Sequence, residues 1–261
     1  METSKTSGYA PVNGLNMYYE TYGEGTLPLV LIHGGGSTIQ TSFGNLIPFL
    51  SGCGKLIAVE LQAHGRTSDR DAPESFELDA DDVAGLLNYL KIDKANFLGF
   101  SNGGTTTLQI AIRHAHIVNK IVVVSGAYKR DGFIAGFFEG FPGATLNNMP
   151  EPLREAFLAV TPDKDKLQVM FEKDVARMIA FKDIPDDDFN AIKVPALFIV
   201  ADKDVITSEH TLKMSQLIPG AQLAILPGIH GAFIGELPTA KKGSRLPELT
   251  AAIVEEFLNE Q

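Results

Sequence analysis

The segment Gly99-Phe100-Ser101-Asn102-Gly103 sets a serine between two glycines, with one residue separating it from each. The segment lies where an apolar run, 95–98, meets a helix-like run, 104–114. A sharp strand–turn–helix connection of this type strains the central residue and lifts its side chain clear of the sheet. The glycines let the neighbouring backbone pass without a side-chain clash. The pattern therefore predicts an α/β fold with an exposed, nucleophilic Ser101.

The rest of the chain alternates strand-like and helix-like runs. A hairpin is predicted over 12–22, turning at Asn13-Gly14. Strands are predicted at 28–32, 56–61, 95–98, 120–125, 194–200 and 221–226, and helices at 41–50, 78–90, 104–114, 208–217 and 246–258. This alternation favours a mostly parallel sheet with helices on both faces.

The alternation stops between Ala127 and Lys193, where the sequence is helix-compatible, rich in phenylalanine and without an obvious strand. We interpret 127–193 as an inserted helical cap between two parts of one core domain, 1–126 and 194–261. At 261 residues the chain is long enough for such a domain with an insertion.

The phenylalanines at the start of the predicted cap are candidates for the substrate pocket. Phe133, Phe137 and Phe138, together with Gly34 from the core, are predicted to line it. The alternative, given equal weight, is that the rings only form the small core of the cap, since aromatic residues in helical segments are mostly buried.

A serine hydroxyl needs a base to take its proton and an acid to orient that base. Of the six histidines, His230 alone follows the last predicted strand, which is where the base is expected. His210 begins a helix and is predicted to lie at the surface. His230 is therefore the predicted catalytic base.

The acid is expected at the end of an earlier strand. The run Ala201-Asp202-Lys203-Asp204 follows the strand 194–200, and the segment 125–127 after the preceding strand has no carboxylate. Asp204 is the predicted acid because it lies further into the loop. Asp202 is the alternative, with a turn-capping role favoured for it.

Acyl transfer develops an oxyanion that needs fixed N–H donors. The backbone N–H of Asn102 follows the nucleophile at a helix start and supplies one donor. The loop His33-Gly34-Gly35-Gly36 follows an early strand, and Gly35 is predicted to supply the other. No cofactor and no metal is expected.

The segments 33–36, 63–68, 99–104 and 201–204, with His230, resemble those of the α/β-hydrolase superfamily over nearly the whole chain. The similarity is to the capped single-domain esterase and lactonase branch, which includes 3-oxoadipate enol-lactonases, cofactor-free haloperoxidases and carbon–carbon bond hydrolases. It implies a mostly parallel eight-stranded sheet flanked by helices, with a helical cap. It also implies a Ser101–His230–Asp204 triad that works through an acyl-enzyme.

Four positions depart from the pattern of that branch. Where it usually has Asp-x-x-Gly-His-Gly-x-Ser, this chain has Glu60, Ala63 and Thr67 at the Asp, first Gly and Ser positions. Where it usually has Gly before the last histidine, this chain has Ile229. A serine at the elbow argues against dehalogenase chemistry, because the dehalogenases of this superfamily carry aspartate there.

The leading functional prediction is a serine hydrolase that cleaves a small-molecule carboxylic ester or lactone, including bulky or macrocyclic ones. The alternatives are a cofactor-free haloperoxidase or perhydrolase and a ligand-binding pseudoenzyme. The formal net charge of −10 argues against nucleic-acid and anionic-membrane partners.

The remaining bulk features bear on location and assembly. The single cysteine excludes an intrachain disulfide. No stretch approaches the ~18 apolar residues of a membrane span. The first ten residues lack the apolar core of a signal peptide, so a cytoplasmic location is expected. A monomer or a homodimer is the expected state of assembly.

Overall fold

The chain begins with a hairpin in the computed structural model, which describes residues 5–260. Strands β1 (Lys5–Val12) and β2 (Leu15–Tyr22) are joined by Asn13 and Gly14, whose φ angles of 47° and 84° suit a tight hairpin turn. The predicted hairpin is confirmed. Residues 1–4 and 261, which the predicted domain bounds include, lie outside the described residues.

Eight strands form one sheet in the order β1-β2-β4-β3-β5-β6-β7-β8. The others are β3 (Leu29–Ile32), β4 (Leu56–Val59), β5 (Ala95–Phe100), β6 (Val118–Val124), β7 (Ala196–Lys203) and β8 (Gln222–Ile229). The two hairpin strands pair antiparallel, as do β2 and β4, and the remaining pairs are parallel. The predicted mostly parallel eight-stranded sheet is therefore confirmed. Strands β3, β4 and β5 are buried throughout because helices cover both faces.

The helices are α1 (Ile39–Phe43), α2 (Phe76–Tyr89), α3 (Asn102–Arg113), α4 (Glu151–Val160), α5 (Lys164–Ile179), α6 (Asp186–Asn190), α7 (Ser208–Leu217) and α8 (Leu246–Asn259). The predicted helix at 41–50 is wrong. The observed α1 ends at Phe43, and a 3₁₀ turn, Ile47–Phe49, follows because Pro48 has no N–H to continue an α-helical ladder. Within residues 5–260, no helix combines the length and apolar character needed to cross a membrane.

The segment 127–193 connects β6 to β7 and contains α4, α5 and α6. Its apolar side chains form a cluster of their own that also contacts the core loop at Ala63; the buried members are Met149, Leu153, Phe157, Leu167, Met170 and Phe171. The division of the chain into core and cap stays a prediction.

His210 is 5% exposed, so its predicted surface position is wrong. Its ring stacks on Tyr128 at 4.9 Å, where the first turn of α7 meets the start of the 127–193 segment. Burial lowers the pKa of His210 to about 4. The helix-start position alone carried no information about this long-range ring contact.

Candidate active site

Ser101 lies between β5 and α3 with φ 55° and ψ −119°. A non-glycine residue held in such a region costs on the order of 1–3 kcal/mol, which the surrounding structure must offset. Its own N–H donates to the Val124 carbonyl at 2.8 Å. A Cβ at Gly99 would lie 1.9 Å from the Gly103 carbonyl oxygen, and one at Gly103 would lie 2.1 Å from the Ile32 carbonyl oxygen. Both glycines are therefore required for the turn that presents Ser101.

The structure brings the three predicted triad residues together. His230 Nε2 lies 3.0 Å from Ser101 Oγ, and His230 Nδ1 lies 2.6 Å from Asp204 Oδ1. Asp202, the alternative acid, instead accepts the N–H of Gly228 at 2.7 Å and is exposed. The geometry thus separates the two carboxylates. Asp204 faces the histidine, whereas Asp202 lies on β7 and bonds to β8 rather than capping a turn.

The surroundings of Asp204 keep it ionised. Burial alone would favour its neutral form, but the hydrogen bond and charge of His230 and the hydroxyl of Ser125 outweigh it, so its pKa is lowered. Ser125 Oγ donates to Asp204 Oδ2 at 2.6 Å. The segment 125–127 carries no carboxylate, but its serine holds the acid that follows the next strand, a contact that the sequence did not predict.

His230 is shifted in the opposite direction. Burial disfavours the imidazolium, but the hydrogen bond and charge of Asp204 outweigh that effect, so the pKa of His230 is raised. The ring also packs against Phe100 at 4.8 Å. The pair is therefore arranged to stabilise a positive charge that develops on the imidazole.

The glycine-rich loop approaches the nucleophile closely. A Cβ at Gly35 would lie 2.6 Å from Asn102 Nδ2, and one at Gly34 would lie 3.2 Å from Ser101 Cβ. His33 Nδ1 donates to the Gly34 carbonyl at 2.7 Å, and its Nε2 accepts the N–H of Leu61 at 3.0 Å. This pattern fixes a neutral His33, whose pKa is lowered to about 3 by burial and by the neighbouring His64. In a trans peptide the N–H of Gly35 then points away from His33.

A cavity of about 230 Å³ opens over Ser101, Asn102, Gly35 and Gly36. Apart from Asp174, the side chains that the 127–193 segment contributes are apolar: Phe137, Phe141, Met149, Pro150, Leu153, Met170, Phe171, Val175 and Met178. Of the predicted pocket residues, Phe137 lies in this wall. Phe133 and Phe138 pack against Phe137 with ring centroids 4.6 and 5.3 Å away.

Sequence reasoning missed the part of α5 that faces the cavity. Met170, Asp174 and Met178 recur every four residues, with Phe171 and Val175 one position later. This spacing puts the side chains on one helical face, and it was the available signal.

A buried charge cluster lies beside this cavity. Asp174 accepts from His64 Nε2 at 3.0 Å and from Arg177, which also donates to Asp79 at 2.8 Å. Glu74 lies 3.5 Å from Arg177. Burial raises the pKa of Glu74 to about 8 and that of Asp79 to about 6, against the attraction of Arg177. The cluster joins α5 to α2 and to the loops that follow β4.

His64 is the cationic centre of that cluster. Its Nδ1 faces the Gln62 carbonyl at 2.8 Å while its Nε2 faces Asp174. Two acceptors require two N–H groups, so the ring is an imidazolium. Burial opposes that charge, but Asp174 and Glu74 outweigh it and raise the pKa of His64 to about 9.

The departures at Glu60, Ala63 and Thr67 belong to a different local network. Glu60 accepts the N–H of Arg66 at 2.6 Å and its guanidinium at 2.8 Å. Thr67 Oγ1 donates to the Glu60 carbonyl at 2.6 Å. Ala63 has φ 60°, which explains why a glycine suits this position. The loop that carries His64 is thus held by a carboxylate at one end and a hydroxyl at the other.

Comparisons with known proteins agree with this architecture. Residues 28–184 match the family model described as alpha/beta hydrolase fold. The chain is 29% identical to "Serine hydrolase BPHL" of Homo sapiens over 238 residues, which covers 86% of this chain and 80% of that protein.

Solved structures agree as well. The enol-lactonase from Burkholderia xenovorans LB400 superposes with a TM-score of 0.74 at 24% identity and covers 97% of this chain and 100% of its own. The CarC serine hydrolase involved in carbazole degradation has a TM-score of 0.79 at 21% identity and covers 98% and 99%. With its fold, its elbow and its match to the family model, this chain belongs to the alpha/beta hydrolase fold family.

Proposed function

We propose that the protein is a serine hydrolase that cleaves a carboxylic ester or lactone through an acyl-enzyme. The observation that carries the proposal is the unbroken hydrogen-bond path Asp204–His230–Ser101, at 2.6 and 3.0 Å, with Ser101 on a strained turn at the cavity floor. The similarity of this chain to a human serine hydrolase and to the fold of an enol-lactonase supports the same reaction class.

The steps follow from the positions of the protons. His230 Nε2 takes the Ser101 proton as Oγ attacks the carbonyl carbon, and Asp204 stabilises the resulting imidazolium. The proton then passes to the leaving alcohol oxygen as the ester bond breaks. Water attacks the acyl-enzyme with His230 again as base, which releases the acid and restores Ser101. The N–H groups of Gly35 and Asn102 hold the oxyanion in both halves.

The cavity supports a neutral substrate with a compact acyl group. Its volume of about 230 Å³ equals the share of roughly eight liquid water molecules. Among the described residues that line it, Asp174 is the one charged side chain and none is cationic. A substrate carboxylate would therefore meet no positive partner there, while apolar groups would contact the phenylalanine and methionine walls.

The test is hydrolysis of a p-nitrophenyl ester series from acetyl to decanoyl, with Ser101→Ala as the control. We expect activity with a short-chain optimum, at about four to six carbons on the volume argument, and a loss on the order of 10⁴-fold or more in Ser101→Ala. Equal activity in wild type and Ser101→Ala would reject the triad mechanism. Peroxide-dependent halogenation that exceeds hydrolysis would favour the perhydrolase alternative.

A further inference from the structure

Asp174 lies where the α5 helix meets the glycine-rich loop of the candidate oxyanion hole. Its side chain is 12% exposed and forms part of the wall of the cavity that Ser101 also borders. A Cβ at Gly35 would lie 3.3 Å from Asp174 Oδ2. The carboxylate is therefore close to the loop without being a group that a substrate must contact.

The N–H of Gly36 donates to Asp174 Oδ2. His64 Nε2 lies 3.3 Å from the same N–H, but a protonated ring nitrogen has no lone pair to accept it. Asp174 is thus the acceptor, and the bond fixes the plane of the Gly35–Gly36 peptide from its N–H side.

Two further contacts fix the neighbouring groups of the same loop. Ser37 Oγ lies 3.4 Å from the Gly35 carbonyl, at the other end of the Gly35–Gly36 peptide. His33 holds the Gly34 carbonyl, which belongs to the preceding peptide. The N–H of Gly35 is the donor of that preceding peptide, and within residues 5–260 no acceptor is paired with it, so it can face a substrate.

A glycine-rich loop needs such restraints because glycine pays the largest conformational entropy and flips most readily. Gly36 has φ +64°, a conformation that glycine adopts without strain. The carboxylate itself is fixed in turn by His64 on one oxygen and Arg177 on the other. Two cations therefore determine where the Gly36 N–H points.

We propose that Asp174 is a positioning residue of the oxyanion hole, which orients the Gly35 N–H by accepting the N–H of Gly36. This proposal rests on the proposed function, because it assigns a role in that reaction. In this arrangement α5, which carries part of the cavity wall, also supports the glycine-rich loop through Asp174.

Three variants of the full chain test the proposal. Asp174→Asn removes the charge, and Asp174→Glu keeps the charge and both cationic partners but displaces the oxygens by one methylene. Glu172→Gln, an exposed carboxylate on the same helix, is the matched control. Active sites are counted by fluorophosphonate labelling, so that kcat refers to folded protein only.

We expect kcat for p-nitrophenyl butyrate to fall about 10-fold or more in both Asp174 variants, with KM changed less than threefold and Glu172→Gln unchanged. Inhibition by a butyl boronic acid, which forms a tetrahedral adduct on Ser101, should weaken in parallel with kcat. A purely structural ion pair predicts instead a Glu variant with wild-type kcat and unchanged boronate affinity, and that result would overturn the proposal.

An amide NMR spectrum separates the two proposals. In the wild type the Gly36 N–H should resonate downfield, as expected for a hydrogen bond to a carboxylate, and should shift upfield in Asp174→Asn. An unshifted Gly36 amide overturns the positioning role even where ester hydrolysis is intact. Wild-type protein that neither hydrolyses esters nor labels with fluorophosphonate, with the Gly36 shift as expected, overturns the hydrolase proposal instead.

Discussion

Two histidine–aspartate pairs lie on either side of the glycine-rich loop, and they differ in what faces the second ring nitrogen. In the pair His230–Asp204 the other nitrogen faces the hydroxyl of Ser101, which both donates and accepts. In the pair His64–Asp174 the other nitrogen faces the Gln62 carbonyl, which only accepts. The first ring can lose and regain a proton at Nε2, while the second must keep both protons to satisfy both acceptors.

A histidine beside a carboxylate is therefore not by itself evidence of a catalytic base. Asp204 and Asp174 both raise the pKa of their histidines against burial. The difference lies in the third partner and in the charges behind it. Arg177 and Glu74 surround the His64 pair, whereas the His230 ring packs against Phe100 and has the buried Glu236 as its further charged neighbour. One pair is suited to proton transfer and the other to holding a fixed charge.

The largest expected contrast comes from removing each ring. His230→Asn should lower kcat by about 10⁴-fold or more, because Ser101 loses its base. His64→Gln keeps a donor near Asp174 without the positive charge, and should lower kcat by about 10-fold, since a charge-assisted hydrogen bond is worth roughly 1.5–3 kcal/mol and acts here indirectly. Steady-state kinetics normalised to the concentration of folded protein, determined by circular dichroism, measure both, because a variant without its base does not label with a fluorophosphonate. Similar losses in the two variants would erase the distinction between the pairs.

The two pairs should also differ in the direction of their pH dependence. His230 acts as base only when neutral, and its pKa is raised above 6.5, so kcat/KM should fall about tenfold per pH unit below that raised pKa. His64 contributes only when charged. Its contribution to stability is fully present below pH 6.5 and is lost as pH rises through about 9.

Thermal melts from pH 6 to 10 check the second half of that prediction. The charged and titratable groups that face His64 are Asp174 and Arg177 from α5, Glu74 from the loop before α2, and His33 from the glycine-rich loop. Since these remain in His64→Gln, the difference between the two melting curves isolates the histidine. A wild-type curve parallel to that of the variant between pH 6.5 and 9 would contradict a charged His64.

The smallest expected effect concerns the support of the catalytic acid. Ser125→Ala removes the 2.6 Å bond to Asp204 Oδ2 but leaves the N–H of Ala201 at 3.3 Å. We expect kcat to fall about three- to tenfold, less than the roughly 1.5–3 kcal/mol of a hydrogen bond to a charged group would give, because the Ala201 N–H still holds the same oxygen. Asp202→Asn is the control and should stay within about twofold, because Asp202 is exposed and bonds to the N–H of Gly228 on the edge strand β8, away from the histidine. A larger loss in Asp202→Asn would favour the alternative acid.

Much of the sheet could be predicted because buried parallel strands are short apolar runs bounded by glycine and polar turns. β3, β5 and β7 were found this way, and the helix over 208–217 matches α7. The helix at 41–50 was overextended because its apolar residues continue through a proline. His210 was misplaced because its burial depends on Tyr128, which is distant in sequence.

The candidate site divides in the same way. Ser101, Asp204 and His230 were predictable because each follows a strand at a fixed place in the chain order. Ser125 and Asp174 were not predictable, because each forms its hydrogen bond with a residue more than 60 positions away in the chain. Ser125 bonds to Asp204, and Asp174 accepts the N–H of Gly36. Neither residue belongs to a local motif.

By itself the sequence determined the sheet, the turn at Ser101 and the order of its partners, because turn geometry and strand burial depend on residues close together in the chain. The tertiary structure decided that Asp174 faces His64. It also decided that His64 is charged while the adjacent His33, with ring centroids 4.9 Å apart, is neutral. Protonation depends on which donors and acceptors surround a buried ring, and only the packing of α5 against the core loops brings those groups together.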